Sequence, residues 1–276
     1  MHDLFAPPPP TSRASRIHVG IGGWTYAPWR GGVFYPEGLV QRRELEYASR
    51  QLTAIEINGT YYGAQKPETY AKWRDEAPPG FLFTAKAPKR IMASRRLAGT
   101  GAQIDDFVGG IATLGERLGA LLWQFDRGQS PTLEALADFL ELLPAQAGGV
   151  ALRHALELRD ASLFTPDLLA LLRRRNVALV HAGSDEHPSF ADLTADFTYA
   201  RLMRARDALP AGYTASELEA WARRAREWAD GGDPDDLPHV AAPRPGEAPR
   251  KVFVFFIASA KERNPAAAQA LIQRLS

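Results

Sequence analysis

Glu56, Glu157, Lys86, Arg159 and Arg201 are the side chains of this sequence best suited to moving protons and holding anions, and each lies toward the end of a short apolar run. The runs are TAIEIN at 53–58, FLFTAK at 81–86, ALELR at 155–159 and FTYARLM at 197–203. A carboxylate set among cations serves as general acid or base, and the cations stabilise negative charge as it develops. Alternate residues of an extended strand face opposite sides. Ile55 and Ile57 therefore take one side of their run and leave Glu56 and Asn58 on the other, as Leu156 and Leu158 do for Glu157 and Arg159. Lys86 shares a side with Leu82 and Thr84, and Gln124 opposes Leu121, Trp123 and Phe125 in GALLWQF (119–125). His181, ending VALVH (177–181), and Arg201 are placed on the same polar side.

Positioning these groups takes eight strands. Besides the runs above, IHVGIGGW (17–24) and VFVFFI (252–257) read as strands, and amphipathic stretches fill most of the gaps. Strands alternating with helices over this length point to a (β/α)8 TIM barrel in a single domain. The gap between His181 and Phe197 is narrow, so the helix between the sixth and seventh strands is expected to be short or missing. An open doubly wound sheet is the alternative, but Gly20-Ile21-Gly22-Gly23 is followed by Trp and Pro rather than by a helix, which makes a poor dinucleotide fingerprint. Ser130-Pro131, Thr165-Pro166 and Asn264-Pro265 read as helix starts, and Thr214 with Glu217 as a capping box.

In such a barrel six successive strands carry an inward polar or charged side chain near the C-terminal end, where barrel enzymes keep their chemistry. Two accounts are open. The groups form a structural ion-pair network, Glu56 with Arg201 and Glu157 with Arg159 or Lys86, or they line a working mouth. The loops above add two features. The segment WTYAPWRGGVFYP (24–36) brings five aromatics, including Trp24 and Tyr26, and Tyr61 and Tyr62 follow the second strand. They form either a stacking platform or an apolar plug. The loop 86–103 holds Lys86, Lys89, Arg90, Arg95 and Arg96 with no acidic residue, an asymmetry that suits a phosphate-bearing partner.

The 276 residues carry 33 basic and 32 acidic side chains, a net charge of +1 that argues against capture of nucleic acid or membrane by bulk charge alone. The absence of Cys excludes disulfides, thiolate metal sites and cysteine nucleophiles. The longest apolar run, 252–260, is too short to span a bilayer, and the N-terminus lacks the pattern of a secretory signal, so a cytoplasmic protein without membrane contact is expected. Residues 1–16, with four consecutive prolines, read as a disordered tail, residues 17–276 as the barrel domain, and 231–250 as a Pro/Gly-rich loop within it.

The segments GIGGWTYAPWRGGVFYP, EINGTYYGAQKPETYAKWRDEAP, FLFTAKAPKRI, LLWQF, ELRD and TYARL resemble, in order and spacing, the motifs of the YecE-like family (domain of unknown function 72). The resemblance implies a TIM barrel, and the family's likeness to barrel endonucleases and sugar isomerases implies nucleic acid or phosphosugar ligands. By motif match it marks Trp24, Tyr26, Glu56, Asn58, Tyr62, Lys86, Gln124, Glu157, Arg159 and Arg201 as the polar positions. This sequence departs from the pattern twice. FFIASAKER stands where the family usually ends its last strand with paired asparagines, and Leu202-Met203-Arg204 stands where a His-Gly type sequence usually follows the seventh-strand Arg.

Together these features point to an enzyme acting on a phosphorylated or nucleic-acid-like substrate. Glu157 would be its acid or base, Glu56 the partner, Lys86 and Arg201 the stabilisers of charge. Trp24, Tyr26, Asn58, Tyr62, Gln124, Arg159, His181, Lys89 and Arg90 would bind substrate. The alternatives are a non-catalytic binder of single-stranded nucleic acid or nucleotide, a divalent-metal hydrolase or sugar isomerase, a glycosidase, and an interaction barrel that has lost activity. No cofactor is expected, except that Glu56, Glu157, Asp185 and His181 would be the ligands if Mg²⁺ or Mn²⁺ were used.

Overall fold

In the computed structural model, which describes residues 16–244, 246 and 248–276, eight parallel strands close into a barrel in chain order. They are β1 (Ile17–Gly22), β2 (Ala54–Ile57), β3 (Leu82–Lys86), β4 (Leu118–Phe125), β5 (His154–Leu158), β6 (Val177–Gly183), β7 (Phe197–Leu202) and β8 (Lys251–Phe256), with β8 pairing back onto β1. The helices α1 (Glu44–Gln51), α2 (Pro67–Glu76), α3 (Lys89–Met92), α4 (Gly101–Ile111), α5 (Leu133–Glu141), α6 (Pro166–Arg175), α7 (Ala215–Ala229) and α8 (Asn264–Leu275) lie between and after them. This is the expected (β/α)8 architecture, and no helix stands between β6 and β7. No helix among the described residues is long and apolar enough to cross a membrane.

Two of the expected helix starts hold and two shift. The Thr165 hydroxyl accepts from Leu168 N (3.2 Å) ahead of Pro166, and Thr214 and Glu217 form both arms of the capping box. The α5 cap is Thr132 rather than Ser130, because its side chain is the one that reaches a first-turn amide, Ala135 N. Asn264 lies inside α8 and makes no cap bond.

The stretch after α7 covers the place of the missing helix. Pro238 O accepts from Ala191 N (2.9 Å), and the Asp192 carboxylate accepts from the amides of Val240 (2.8 Å) and Ala241 (3.0 Å), so the β6–β7 loop and the 231–244 segment are bonded to each other. The Pro-rich tail lies outside the described residues apart from Arg16, whose carbonyl accepts from Val252 N (2.8 Å).

Parity along the strands is as the alternation requires, except at His181. Ala178, Val180 and Ala182 pack inside the barrel, which puts His181 with Val177 and Leu179 on the helix side. Its ring lies 5.5 Å from Trp221 and 6.4 Å from Trp228, both on α7, and its Nδ1 faces Phe190 O at 3.3 Å. His181 is therefore not at the mouth. VALVH is apolar on both faces until its last residue, so hydrophobicity alone gives no sidedness there.

The glycines of β1 are there for packing. A Cβ on Gly20 would sit 1.8 Å from the Ala54 carbonyl oxygen of β2. Gly20→Ala must push β1 and β2 apart and should cost at least about 3 kcal/mol, read by urea unfolding; a loss below 1 kcal/mol would contradict this contact.

Burial holds the imidazoles of His18, inside the barrel against Phe253, and of His181 down to about 4. In the unfolded chain they titrate near 6.5, so the unfolded state binds more protons between those values and stability falls as pH drops through that window. At pH 5 each histidine should cost about 2 kcal/mol relative to pH 7.5, and His18→Gln, which cannot titrate, should show a visibly shallower acid loss in urea unfolding.

Candidate functional site

Arg201, on β7, sits at the centre of the inward polar groups and is 4% exposed. Its Nε and Nη2 donate to the two oxygens of Glu56 on β2 (3.0 and 2.9 Å), a bidentate pair. Its Nη1 donates to Glu157 Oε2 on β5 and to Gln124 Oε1 on β4 (3.0 Å). Arg159 closes the other side, with Nε donating to Glu157 Oε1 (2.8 Å) and Nη2 reaching Gln124 Oε1 at 3.3 Å. Asp126, just past β4, accepts from Gln124 Nε2 and pairs with Arg159 at 3.4 Å. Below this layer, the Tyr199 hydroxyl donates to Glu56 Oε2 (2.8 Å) and lies 2.7 Å from Thr84 Oγ1.

Both glutamates are fully buried. Burial alone would raise the Glu157 carboxyl, but the Arg201 and Arg159 guanidiniums beside it more than reverse that and hold it below the usual carboxylate range. Burial opposes the Arg201 charge too, and Glu157 and Glu56 outweigh it, keeping that group firmly protonated. Lys86 moves the other way: burial and the nearby Arg201 charge lower it, and Glu157, Glu56 and Asp126 offset only part of this.

Above the network lies a cleft of about 510 Å³ across the ends of β8, β1, β2 and β3. Lys86 and Lys261 reach into it, Trp24, Tyr61, Tyr62 and Trp73 supply its rings, Asn58 and Gln65 its amides, and no lining residue is acidic. The Lys86 ammonium lies 4.0 Å from the centre of the Tyr61 ring, and the Tyr61 hydroxyl donates to Asp126 (3.1 Å). The Lys261 ammonium lies 4.3 Å from the centre of the Tyr26 ring, and its carbonyl accepts from Trp29 Nε1 (2.9 Å).

Seven of the residues singled out from the sequence come together: Glu56, Gln124, Glu157, Arg159 and Arg201 in the network, with Lys86 and Asn58 above it. Trp24 and Tyr62 wall the cleft, and Tyr26 serves it by seating Lys261. Lys89 and Arg90 lie on α3 and do not line it, and Arg90 pairs instead with Asp106 of α4 (2.5 Å). Trp29, Phe34 and Tyr35 are buried together, so the first aromatic loop is part plug and part cleft wall. The four residues considered for a divalent ion do not converge: Asp185 pairs with Arg204 (2.8 Å), His181 faces α7, and both glutamates are held by guanidiniums. Among the described residues no group of three or more His, Asp or Glu side chains is arranged to hold a metal ion.

Sequence reasoning missed Tyr199, Asp126, Trp73 and Lys261. Tyr199 was legible in principle, since it shares the parity of Arg201 two residues later in FTYARLM. Lys261 was not, because it depends on a turn in which Ala258 (φ 58°) and Ala260 (φ 44°) both adopt left-handed backbone. An alanine pays about 1 kcal/mol for that conformation, which glycine or asparagine adopts more readily.

Residues 18–276 match the family described as protein of unknown function DUF72. The chain belongs to this family. It is 29% identical over 141 residues to the UPF0759 protein YecE of Escherichia coli K12, an alignment taking in 50% of this chain and 48% of that protein, so the chain spans about half the length of the curated relatives it matches. Among solved structures, a DUF72 protein of Thermotoga maritima MSB8 superposes with a TM-score of 0.69 at 22% identity, covering 93% of this chain and 96% of that one. A DUF72 protein of Enterococcus faecalis V583 gives 0.65 at 18% identity, covering 94% and 98%. At such identities the likeness is one of fold, and the site of this DUF72 barrel rests on its own side chains.

Glu157→Gln would remove half of two charge pairs and leave Arg201 and Arg159 undercompensated. The expected loss is about 3–5 kcal/mol in urea unfolding at pH 7, and an unchanged stability would show that Glu157 does not hold the network together.

Proposed function

We propose that this DUF72 barrel acts on a phosphorylated, ring-bearing ligand bound in the mouth cleft, with Lys86 as the proton-transferring group. The observation that carries this is the lining of the cleft, two lysines and four aromatic rings with no carboxylate. Ammonium groups favour phosphate oxygens, and the rings offer stacking faces to a base or sugar.

In this reading Glu157 and Glu56 play a supporting part. Each accepts charged hydrogen bonds at both oxygens, and Glu157 is held ionised, so it has no proton to donate and little freedom to take one. Lys86 differs on every count: it borders the cleft, its ammonium rests on a ring rather than on a carboxylate, and its proton is held less tightly than that of a free lysine. Burial and neighbouring positive charge tune a lysine toward acid–base work in this way. The network beneath would fix the field in which that proton moves. Tyr62, 88% exposed at the rim, favours a second reading in which the cleft binds such ligands without turnover.

A nucleoside 5′-monophosphate should raise the melting temperature more than the uncharged nucleoside does, since binding to the native state alone stabilises it. Lys86→Met should weaken monophosphate binding at least about tenfold in isothermal titration. A wild-type protein that responds to no phosphorylated probe at millimolar concentration would refute the proposal. Turnover of a phosphorylated substrate by the wild-type protein separates the enzyme from the binder, and a loss of kcat at saturating substrate in Lys86→Met marks a role beyond binding.

A further inference from the structure

The two lysines of the cleft stand at opposite ends of it. Lys86 ends β3 and Lys261 follows β8, with β1 and β2 between them in the barrel. Neighbouring strands lie about 4.8 Å apart, so three intervals put the ends of β3 and β8 roughly 14 Å apart along the barrel wall. Each ammonium is seated on a ring of its own, Tyr61 for Lys86 and Tyr26 for Lys261, which holds them on separate sides. Between them the floor offers Trp24 and Asn58, and Tyr62 stands exposed at the rim.

A lone phosphate has no need of two cations so placed. We propose that the cleft takes a segment of single-stranded nucleic acid of at least three nucleotides, with phosphates two backbone steps apart on Lys86 and Lys261 and a base stacked on the aromatic wall between them. The inference rests on the phosphate-binding reading above and adds the number of anionic groups and their spacing. The rest of the site agrees with it. Stacking on aromatic rings tolerates any base, and the amides of Asn58 and Gln65 are the neutral hydrogen-bonding groups available for any preference. Two neutralised phosphates on a single strand predict that log K falls with log salt at a slope of about −1.4, and a single one at about −0.7.

The test compares uridine 5′-monophosphate with the 5′-phosphorylated trinucleotides of deoxyuridine and of uridine by isothermal titration at several salt concentrations. The expected results are trinucleotide binding at least about tenfold tighter than monophosphate binding, and a Lys261→Met variant that removes this advantage and halves the salt slope. A preference for one trinucleotide assigns DNA or RNA as the source of the strand. If Lys261→Met weakens monophosphate and trinucleotide equally, both lysines grip one phosphate and the inference is wrong, while the phosphate-binding reading stands. If neither kind of probe binds the wild-type protein, that reading fails as well. Circular dichroism of the variant at 25 °C excludes misfolding as the cause of any loss.

Discussion

The Arg201 guanidinium holds two fully buried carboxylates at once, and the mouth of this barrel is organised around that interaction. An unpaired buried charge costs several kcal/mol, so neither Glu56 nor Glu157 is tolerable at its position without a cation against it. Arg201 meets both, and Gln124 and Arg159 take up the hydrogen-bonding capacity that remains. Through these contacts β2, β4, β5 and β7 are tied across the barrel rather than only along its wall. Glu56, Glu157 and Asp126 each pair with Arg201 or Arg159, so the carboxylates of the mouth are balanced by guanidiniums within the network.

That balance sets the character of what lies above. With the carboxylates engaged below, the cleft presents ammonium groups, rings and amides, although carboxylates lie close to its base. A chain of nearly zero net charge thus offers a cleft lined by two lysines and no carboxylate, the nearby carboxylates being paired with guanidiniums. The turn after β8 contributes to this at a local cost, two alanines in left-handed backbone, and it delivers Lys261 to the end of the cleft opposite Lys86.

The two halves of the barrel are built differently. On the β8–β3 side the strand ends open into the cleft. On the β6–β7 side a helix is absent, and two irregular segments bonded to each other take its place, with Asp192 gathering two backbone amides. Neither segment has apolar periodicity, and their order comes from backbone groups that must find partners once the segments are brought over the barrel wall.

Much of this was legible in the sequence. Apolar residues alternating with Glu56, Gln124, Glu157 and Arg201 fixed both the strands and the inward side of each, because only one face of a strand can meet the helices. Eight strands alternating with helices, with no convincing Gly-rich strand-to-helix turn, then favoured a closed barrel over an open doubly wound sheet. The pairing of Glu56 with Arg201 and of Glu157 with Arg159 was already one of two open accounts. Tertiary structure decided what strand parity cannot. His181 faces outward because Val180 and Ala182 pack inside, which a strand apolar on both sides does not reveal, and Arg90 meets a carboxylate of α4 that lies 16 residues away in the chain. Lys261 reaches the cleft only because barrel closure sets β8 beside β1. Alternation along a strand reports which side a residue takes; which groups then meet depends on distances between strands and loops that no local pattern encodes.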